Sequence, residues 1–262
     1  MSPANSTSTA AVKNYAQPTF INRKWSPVII GLGVVVVFAA FGMLLGGSSD
    51  FGFTRLSQIL IMGTLLLGLG VVTGTAGMIA LCQMSFAAAG AMVVEYMAIY
   101  KIADWFGSFS YFFYLIIAAA VAMVLGLIVG LPALRLRGVN LAVVTLSFAF
   151  VFDITMLAIG FPAGKTGQFL DRPLGIGGGA SYWELGLTFL VILVLVAIVA
   201  VIVVYLMRSR LGSSWKMVAF SERATASSGT NVQFAKLSAF MVSAGIGGFG
   251  GGLFELLYRQ GT

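Results

Sequence analysis

The sequence contains no histidine and a single cysteine, Cys82, and only 9% of its 262 residues are charged. One cysteine excludes an intrachain disulfide, and without histidine or a cysteine cluster a metal site is not expected. No carboxylate pair stands beside suitable partners in a loop, so the usual residue sets for nucleophilic or acid–base catalysis are missing as well. We therefore expect a protein that is not an enzyme and that binds no cofactor itself.

Hydrophobic residues, in contrast, make up 59% of the chain, where a soluble domain has about 45–50%. They fill stretches of about 20 residues, the length that crosses the hydrocarbon core of a bilayer. Backbone groups in lipid must be satisfied within each span, and the short alternating pattern of a membrane barrel is absent. The pattern predicts an all-α, polytopic transmembrane helix bundle with about seven spans, at residues 27–47, 57–73, 85–103, 111–133, 139–160, 184–207 and 237–258.

Charge and polarity suggest the domain organisation. Residues 1–24 are rich in Ser, Thr and Ala and lack the apolar core of a signal peptide, so we expect a disordered cytoplasmic tail before a membrane domain over 25–262. With the N-terminus inside, ten of the fifteen Lys and Arg residues lie in the tail or in cytoplasmic loops, as the positive-inside rule requires. These charges are scattered and form no single basic face, which argues against a nucleic-acid partner.

The loop at 208–236 carries most of the predicted cytoplasmic charge. In it Trp215, Val218 and Phe220 precede a small polar stretch that ends at Gly229. This arrangement predicts a short helix on the cytoplasmic side that stops at Gly229. From the spacing alone, an amphipathic helix that merely lies in the membrane interface fits equally well.

A glycine-rich stretch lies in the last predicted span. Residues 245–250 match the letters of the dinucleotide-binding fingerprint, but no strand precedes them and no acidic residue follows at the required distance. Spacing of four residues between small side chains instead allows two helix backbones to approach closely in lipid. We therefore predict close helix packing at Gly247, Gly248, Gly251 and Gly252.

Polar residues within the predicted spans need a partner or a water-filled path, because a charge at membrane depth costs a few kcal/mol. Glu255 stands four residues before Arg259, a spacing that favours an ion pair. For Glu95 and Asp153, a role in packing and a role in a polar path remain equally open. The candidate path residues on two spans are Gln83, Ser85, Glu95, Thr145, Ser147 and Asp153. An equally good interpretation has the hydroxyl groups bonded to their own helix backbone.

Three segments together resemble the permeases of branched-chain amino acid ABC importers, of the LivM type. They are GTAGMIALCQMSFAAAGA at residues 74–91, LPALRLRGVNLAVVTL at residues 131–146, and the stretch 209–240, which runs from SRLG through SER and GTNV to KLSAF. In that family the third stretch contains the coupling helix that docks on the ATPase. The resemblance therefore implies a coupling role for segment 208–236, and within it for Ser221, Glu222, Arg223, Ala224, Thr225 and Gly229.

The resemblance also implies partners and a location. It implies a second, LivH-like permease subunit, two cytoplasmic ATPase subunits that bind ATP and Mg²⁺, and an extracytoplasmic solute-binding protein. The chain would be a multi-pass protein of the prokaryotic inner membrane. Family members continue past the glycine-rich helix, so the resemblance leads us to expect an outer loop and further spans after Thr262.

Two departures from the family pattern leave the substrate open. Gln83 stands where the family usually has His, and Phe150 where it often has Glu; Asp153, three residues further on, could supply a displaced carboxylate. Branched-chain or related amino acids are the first candidates for the substrate, and urea, amides or another small solute are the alternatives. Two other functions stay open, an ion-gradient-driven secondary transporter, in which Glu95 and Asp153 bind the coupling ion, and a membrane scaffold.

Overall fold

The computed structural model describes residues 50–100, 110–134, 136, 139–159 and 182–258. These residues form eight α-helices and one π-helical turn, and no strand is found among them. The predicted tail at 1–24, the predicted span at 27–47 and most of the outer loop at 161–183 lie outside the described residues. The helices are α1 (Asp50–Gly70), α2 (Gln83–Ile99), α3 (Ser110–Ala133), α4 (Val139–Ile159), α5 (Tyr182–Arg208), α6 (Arg210–Phe220), α7 (Glu222–Ser227) and α8 (Val232–Tyr258).

The all-α membrane bundle that the sequence predicts is confirmed. Within the described ranges, five helices are long and apolar enough to cross a membrane, and α2 is a shorter apolar helix of 17 residues. The five spans are Gly52–Thr75, Ser110–Pro132, Asn140–Ala158, Gly186–Arg208 and Val232–Leu257. Together with α2 they match six of the seven predicted positions.

The end of α1 departs from a regular helix. Residues Val71–Thr75 form a π-helical turn, in which the N–H of Ala76 donates to the carbonyl of Val71 at 3.3 Å. Gly77 then ends the helix with a φ of 67°, a left-handed conformation that is costly for residues with a Cβ. The chain continues without helix from Ala76 to Cys82 before α2 begins at Gln83.

Helix α8 is the centre of the bundle, and it contacts α1, α2 and α3 along its length. A Cβ on Gly248 would collide with Ala122 of α3, and a Cβ on Gly251 would collide with the carbonyl of Ala87 in α2. Both glycines are buried. Because these glycines have no side chains, the backbones of α2 and α3 approach that of α8 more closely than larger residues would allow.

Two clusters of buried apolar side chains form the core, and they lie toward opposite ends of the bundle. The first contains Val71, Phe86, Trp215 and Phe240 and includes residues of α6. The second contains Ile61, Tyr111, Phe189 and Leu253. Helix α4 contributes few residues to either cluster, among them Leu141, and within the described residues it contacts α2, α3 and Leu81 before α2.

The start of α8 lies five residues before the predicted boundary at 237. The side chain of Asn231 accepts a hydrogen bond from the N–H of Phe234 at 3.2 Å and so caps the helix. The charge of Lys236 suggests a loop in the sequence, but Lys236 is only 5% exposed. It lies inside the first turns of α8, where Glu222 neutralises it.

Candidate functional site

Segment 208–236 forms two short helices joined by a single residue. Ser221 ends α6 and begins α7, and its hydroxyl accepts a hydrogen bond from the N–H of Ala224 at 3.3 Å. Helix α7 ends at Ser227, and Gly229 follows with a φ of 79°. Gly229 thus stops the helix, as the sequence predicts.

Two polar contacts fix this segment to the bundle. The indole N–H of Trp215, a fully buried side chain, donates to the hydroxyl of Ser238 in α8 at 2.9 Å. The ammonium group of Lys236 lies 2.7 Å from a carboxylate oxygen of Glu222 in α7. Each contact satisfies a buried polar group that would otherwise be left unbonded. Both α6 and α7 are therefore tied to the same turns of α8.

The six residues with an implied coupling role divide into an inner and an outer group. Thr225 is buried, and its hydroxyl donates to the carbonyl of Ser221 at 2.8 Å; Ser221 and Glu222 are partly buried. Arg223, Ala224 and Gly229 are exposed.

The outer surface also includes a residue outside this set of six. Phe220 at the end of α6 is 92% exposed, next to exposed Lys216 and Met217. The sequence offers a signal for it, since Phe220 falls on the opposite side of the helix from Gly212, Trp215 and Val218, which are buried. Together with Met217, Phe220 forms a small exposed apolar patch, of the kind that another protein or the membrane interface covers.

A cavity of about 340 Å³ lies between segment 208–236 and two neighbouring loops. Its walls include Gly77 from the stretch after α1, Leu136 from the stretch after α3, and Ser221 and Arg223 from segment 208–236. The three stretches that resemble the permease family therefore meet at one end of the bundle.

The candidate path residues fall into separate places. Gln83 is buried, and its amide Nε2 donates to the carbonyl of Ser243 at 3.2 Å, while its Oε1 accepts from the Ser243 hydroxyl at 3.0 Å. The same hydroxyl lies 2.7 Å from the carbonyl of Gly68. Gln83 therefore joins α1, α2 and α8 in one polar contact.

Thr145 and Ser85 lie near this contact. Thr145 is fully buried, and its hydroxyl accepts from the N–H of Leu81 at 3.2 Å and donates to the carbonyl of Ala142 at 3.0 Å. Ser85 is buried in the first turn of α2. The structure thus brings Gln83, Ser85 and Thr145 to the start of α2.

The other three path candidates lie elsewhere. Ser147 and Asp153 are exposed on α4, and Glu95 is half-buried, about 18 Å along α2 from Gln83 at 1.5 Å per residue. Within the described part of this chain the six residues form no continuous polar line. Ser147 and Asp153 lie on the outer surface of α4.

The four glycines of the predicted packing stretch all lie against neighbouring helices. Gly247 faces Gln83 and Phe86, and Gly252 faces Leu115 and Val94, while Gly248 and Gly251 face Ala122 and Ala87 as described above. Among the described residues, no group of three or more Cys, Asp or Glu side chains is arranged to hold a metal ion.

Comparison with known proteins identifies the family to which the chain is similar. The model of the permease component of branched-chain amino acid transport systems matches residues 51–261. The chain is 31% identical to the high-affinity branched-chain amino acid transport system permease protein LivM of Salmonella typhimurium strain LT2, over 96% of this chain and 63% of that protein. It is also 31% identical to LivM of Escherichia coli strain K12, over 89% of this chain and 57% of that protein.

The chain thus spans less than two thirds of the length of these curated relatives. No solved structure matches it at a significant level. The family match nevertheless runs from the start of α1 to beyond the end of α8 and includes every described helix. The chain is a multi-pass membrane protein that belongs to the family of permease components of branched-chain amino acid transport systems.

Proposed function

We propose that the chain is the transmembrane permease subunit of an ATP-binding-cassette importer. It moves a small polar solute, in the first place a branched-chain or related amino acid, by alternating access between the two sides of the membrane. The observation that carries this proposal is the family match over residues 51–261. The chain itself catalyses no reaction, and two cytoplasmic ATPase subunits bind ATP and Mg²⁺.

Segment 208–236 is the proposed contact with the ATPase subunits. Two faces of this segment support the proposal. The inner face is held to the bundle by Trp215 and by the Glu222–Lys236 ion pair, and the outer face carries exposed Phe220 and Arg223. A docking element needs both, because it must receive a partner and pass the resulting displacement to the bundle. This assignment places the segment and the N-terminus in the cytoplasm, in agreement with the charge distribution.

Helix α4 is the proposed wall of the solute path. Its exposed surface carries Asp153 and Ser147 among large apolar side chains, and a carboxylate at membrane depth requires protein or water around it. The exposed stripe of α5, in contrast, has no acidic or basic residue between 187 and 205; it consists of Leu187, Val194, Ile198, Ile202 and Tyr205. We infer that α5 faces lipid, whereas α4 faces the path and the second permease subunit.

Co-purification and transport together test this proposal. The chain is expressed with its candidate permease and ATPase subunits, solubilised gently and reconstituted with a solute-binding protein. We expect a stable complex that hydrolyses ATP and imports radiolabelled leucine only when ATP is present on the cytoplasmic side. Competition by isoleucine and valine, but not by urea or acetamide, would assign the solute to amino acids.

The secondary-transporter alternative rests on the exposed carboxylate of Asp153 and predicts a different result. Uptake would then continue without ATP and stop when the ion gradient is removed. Absence of ATPase subunits from the complex, together with gradient-driven uptake, would rule out the importer. A scaffold would give neither kind of uptake.

A further inference from the structure

The non-helical segment between α1 and α2, residues 76–82, packs against the bundle with every second residue. Ala76, Met78, Ala80 and Cys82 are buried, while the residues between them are exposed. Irregular backbone at membrane depth is tolerated where protein covers it or where it lines a cavity. The segment leads to Gln83, whose partner Ser243 is about 16 Å along α8 from Val232 at 1.5 Å per residue. The segment therefore runs from one end of the bundle into its interior.

The first end of this segment touches α6. A Cβ built on Gly77 would lie 3.1 Å from the Cβ of Ala219 and 3.3 Å from its Cα. Gly77 also has a φ of 67°, so two independent constraints favour glycine at this position. Ala219 belongs to the segment that we propose as the ATPase contact. A movement of α6 toward the bundle would press directly on Gly77.

The second end of the segment is bonded to α4 and α2. The N–H of Leu81 donates to the hydroxyl of Thr145 at 3.2 Å. The carbonyl of Cys82 accepts from the N–H groups of Ser85 and Phe86, at 3.1 and 3.3 Å, and so begins α2. Helix α4 has few other contacts, since only 17% of its span is buried in the described structure. A displacement of residue 81 would thus act on the helix that the bundle holds least firmly.

From these contacts we propose that residues 76–82 act as a strut that positions α4 according to the position of α6. Its contact points are Gly77, which meets Ala219 of α6, and Leu81, which bonds to Thr145 of α4. Gly77 and Thr145 are therefore positioning residues for transport. The inference rests on the proposed function for its role in coupling, but the mechanical link between Ala219 and Thr145 is a property of this chain alone. The strut shifts α4 when docking moves α6, and α4 carries Asp153 on the proposed path.

Cys82 supplies a natural probe, because it is the single cysteine of the sequence and is fully buried. Its labelling rate with N-ethylmaleimide in lipid nanodiscs reports how often the segment opens. Gly77→Ala introduces a strained conformation and a contact with Ala219, so we expect labelling to rise about tenfold. In the assembled transporter, the same variant should lower the number of solute molecules imported per ATP hydrolysed by at least about fivefold, with ATP hydrolysis itself within about twofold of the original.

Matched variants separate the strut from general strain. Gly229→Ala places a Cβ at a similar φ of 79° with nothing within 4 Å, so in the chain alone it should leave the Cys82 labelling rate within about twofold. Only labelling is compared for this variant, because Gly229 belongs to the proposed ATPase contact. Adding Ala219→Gly to Gly77→Ala removes the 3.1 Å contact with the Cβ of Ala219 and leaves the 3.3 Å contact with its Cα, so it should restore part of the lost coupling. Thr145→Val removes the hydrogen bond with Leu81 at the other end of the segment and should lower coupling without changing α6. This variant also tests the strut if Gly77→Ala does not fold.

The strut is overturned if Gly77→Ala and Gly229→Ala give the same Cys82 labelling rate, if Ala219→Gly restores no coupling, or if Thr145→Val transports with unchanged coupling. Failure of the proposed function looks different. In that case no ATPase subunit assembles with the original chain, while Cys82 labelling of the chain alone still tests whether the contact between Gly77 and Ala219 holds the segment closed.

Discussion

Helices α8 and α4 are both long enough to cross a membrane, yet they occupy opposite positions in the bundle. Of their spans, 67% is buried in α8 and 17% in α4, although α4 is the more hydropathic of the two. The difference lies in side-chain size, because α8 has glycines at its contacts whereas α4 has residues such as Phe150 and Leu157. Lipid is as apolar as leucine, so in a membrane small side chains decide which helix is central.

The strongest test of this comparison is a single methyl group on α8. In Gly251→Ala the new Cβ would collide with the backbone carbonyl of Ala87. A helix must shift to make room, and we expect the protein to lose about 3 kcal/mol of stability. The measurement is the midpoint of thermal unfolding in detergent, together with the yield of monodisperse protein.

Gly63→Ala is the matched control for this substitution. Gly63 lies in α1, and a Cβ there would have nothing within 4 Å. Since alanine is the better helix former, this variant should be more stable by up to about 1 kcal/mol. Equal effects of the two substitutions would contradict the idea that close approach, and not helix propensity, explains the glycines of α8.

The second prediction concerns the ion pair that ties α7 to α8. Glu222→Gln leaves the buried ammonium group of Lys236 without its counter-charge. Because 27% of the Glu222 side chain is exposed, water screens part of the loss, and we expect about 1–3 kcal/mol of destabilisation. Thermal unfolding of Glu222→Gln, Lys236→Gln and the double variant measures the coupling energy between the two residues. Additive effects in this cycle would show that the pair contributes no interaction of its own.

How far the sequence predicts these features depends on how far apart the partners are. The helices themselves follow from local apolar runs, and the stop at Gly229 follows from one residue type at the end of a polar stretch. The contact of Gln83 with Ser243 joins residues 160 positions apart, and no periodicity in either helix reveals which polar residues will meet. The π turn at 71–75 is equally invisible, because an apolar run looks the same in both kinds of helix.

Lys236 is a second case in which the sequence does not show which distant residue will be the partner. Its charge predicts a loop boundary, since an isolated lysine favours solvent over a helix core. Glu222 is the only acid in the predicted cytoplasmic loops, and it is therefore the residue in these loops that can neutralise Lys236. For the path residues the limit is physical, because no described residue lies against the exposed surface of α4, where Ser147 and Asp153 are found.

The third prediction concerns the hydrogen bond between α6 and α8. Ser238→Ala removes the acceptor of the Trp215 indole N–H, which lies in a fully buried side chain. An unsatisfied buried donor costs about 1–2 kcal/mol, and the small change in volume adds little. The thermal midpoint should therefore fall less than in Glu222→Gln. Ser238→Thr keeps a hydroxyl at this position and serves as the control; a loss as large as that of alanine would mean that space, and not the hydrogen bond, matters there.

The smallest effect on stability is expected on α4, where Asp153 is exposed. Asp153→Asn removes a charge but no packing, so the free energy of unfolding should change by no more than about 0.5 kcal/mol. If α4 lines the solute path, uptake falls nonetheless, since the carboxylate is lost where solute passes. Thr155→Val is the matched control, because the Thr155 hydroxyl is also exposed on α4 but donates to its own helix backbone at Val151. Uptake by Asp153→Asn equal to that by Thr155→Val would assign Asp153 no part in the path, and α4 would then differ from α8 in packing alone.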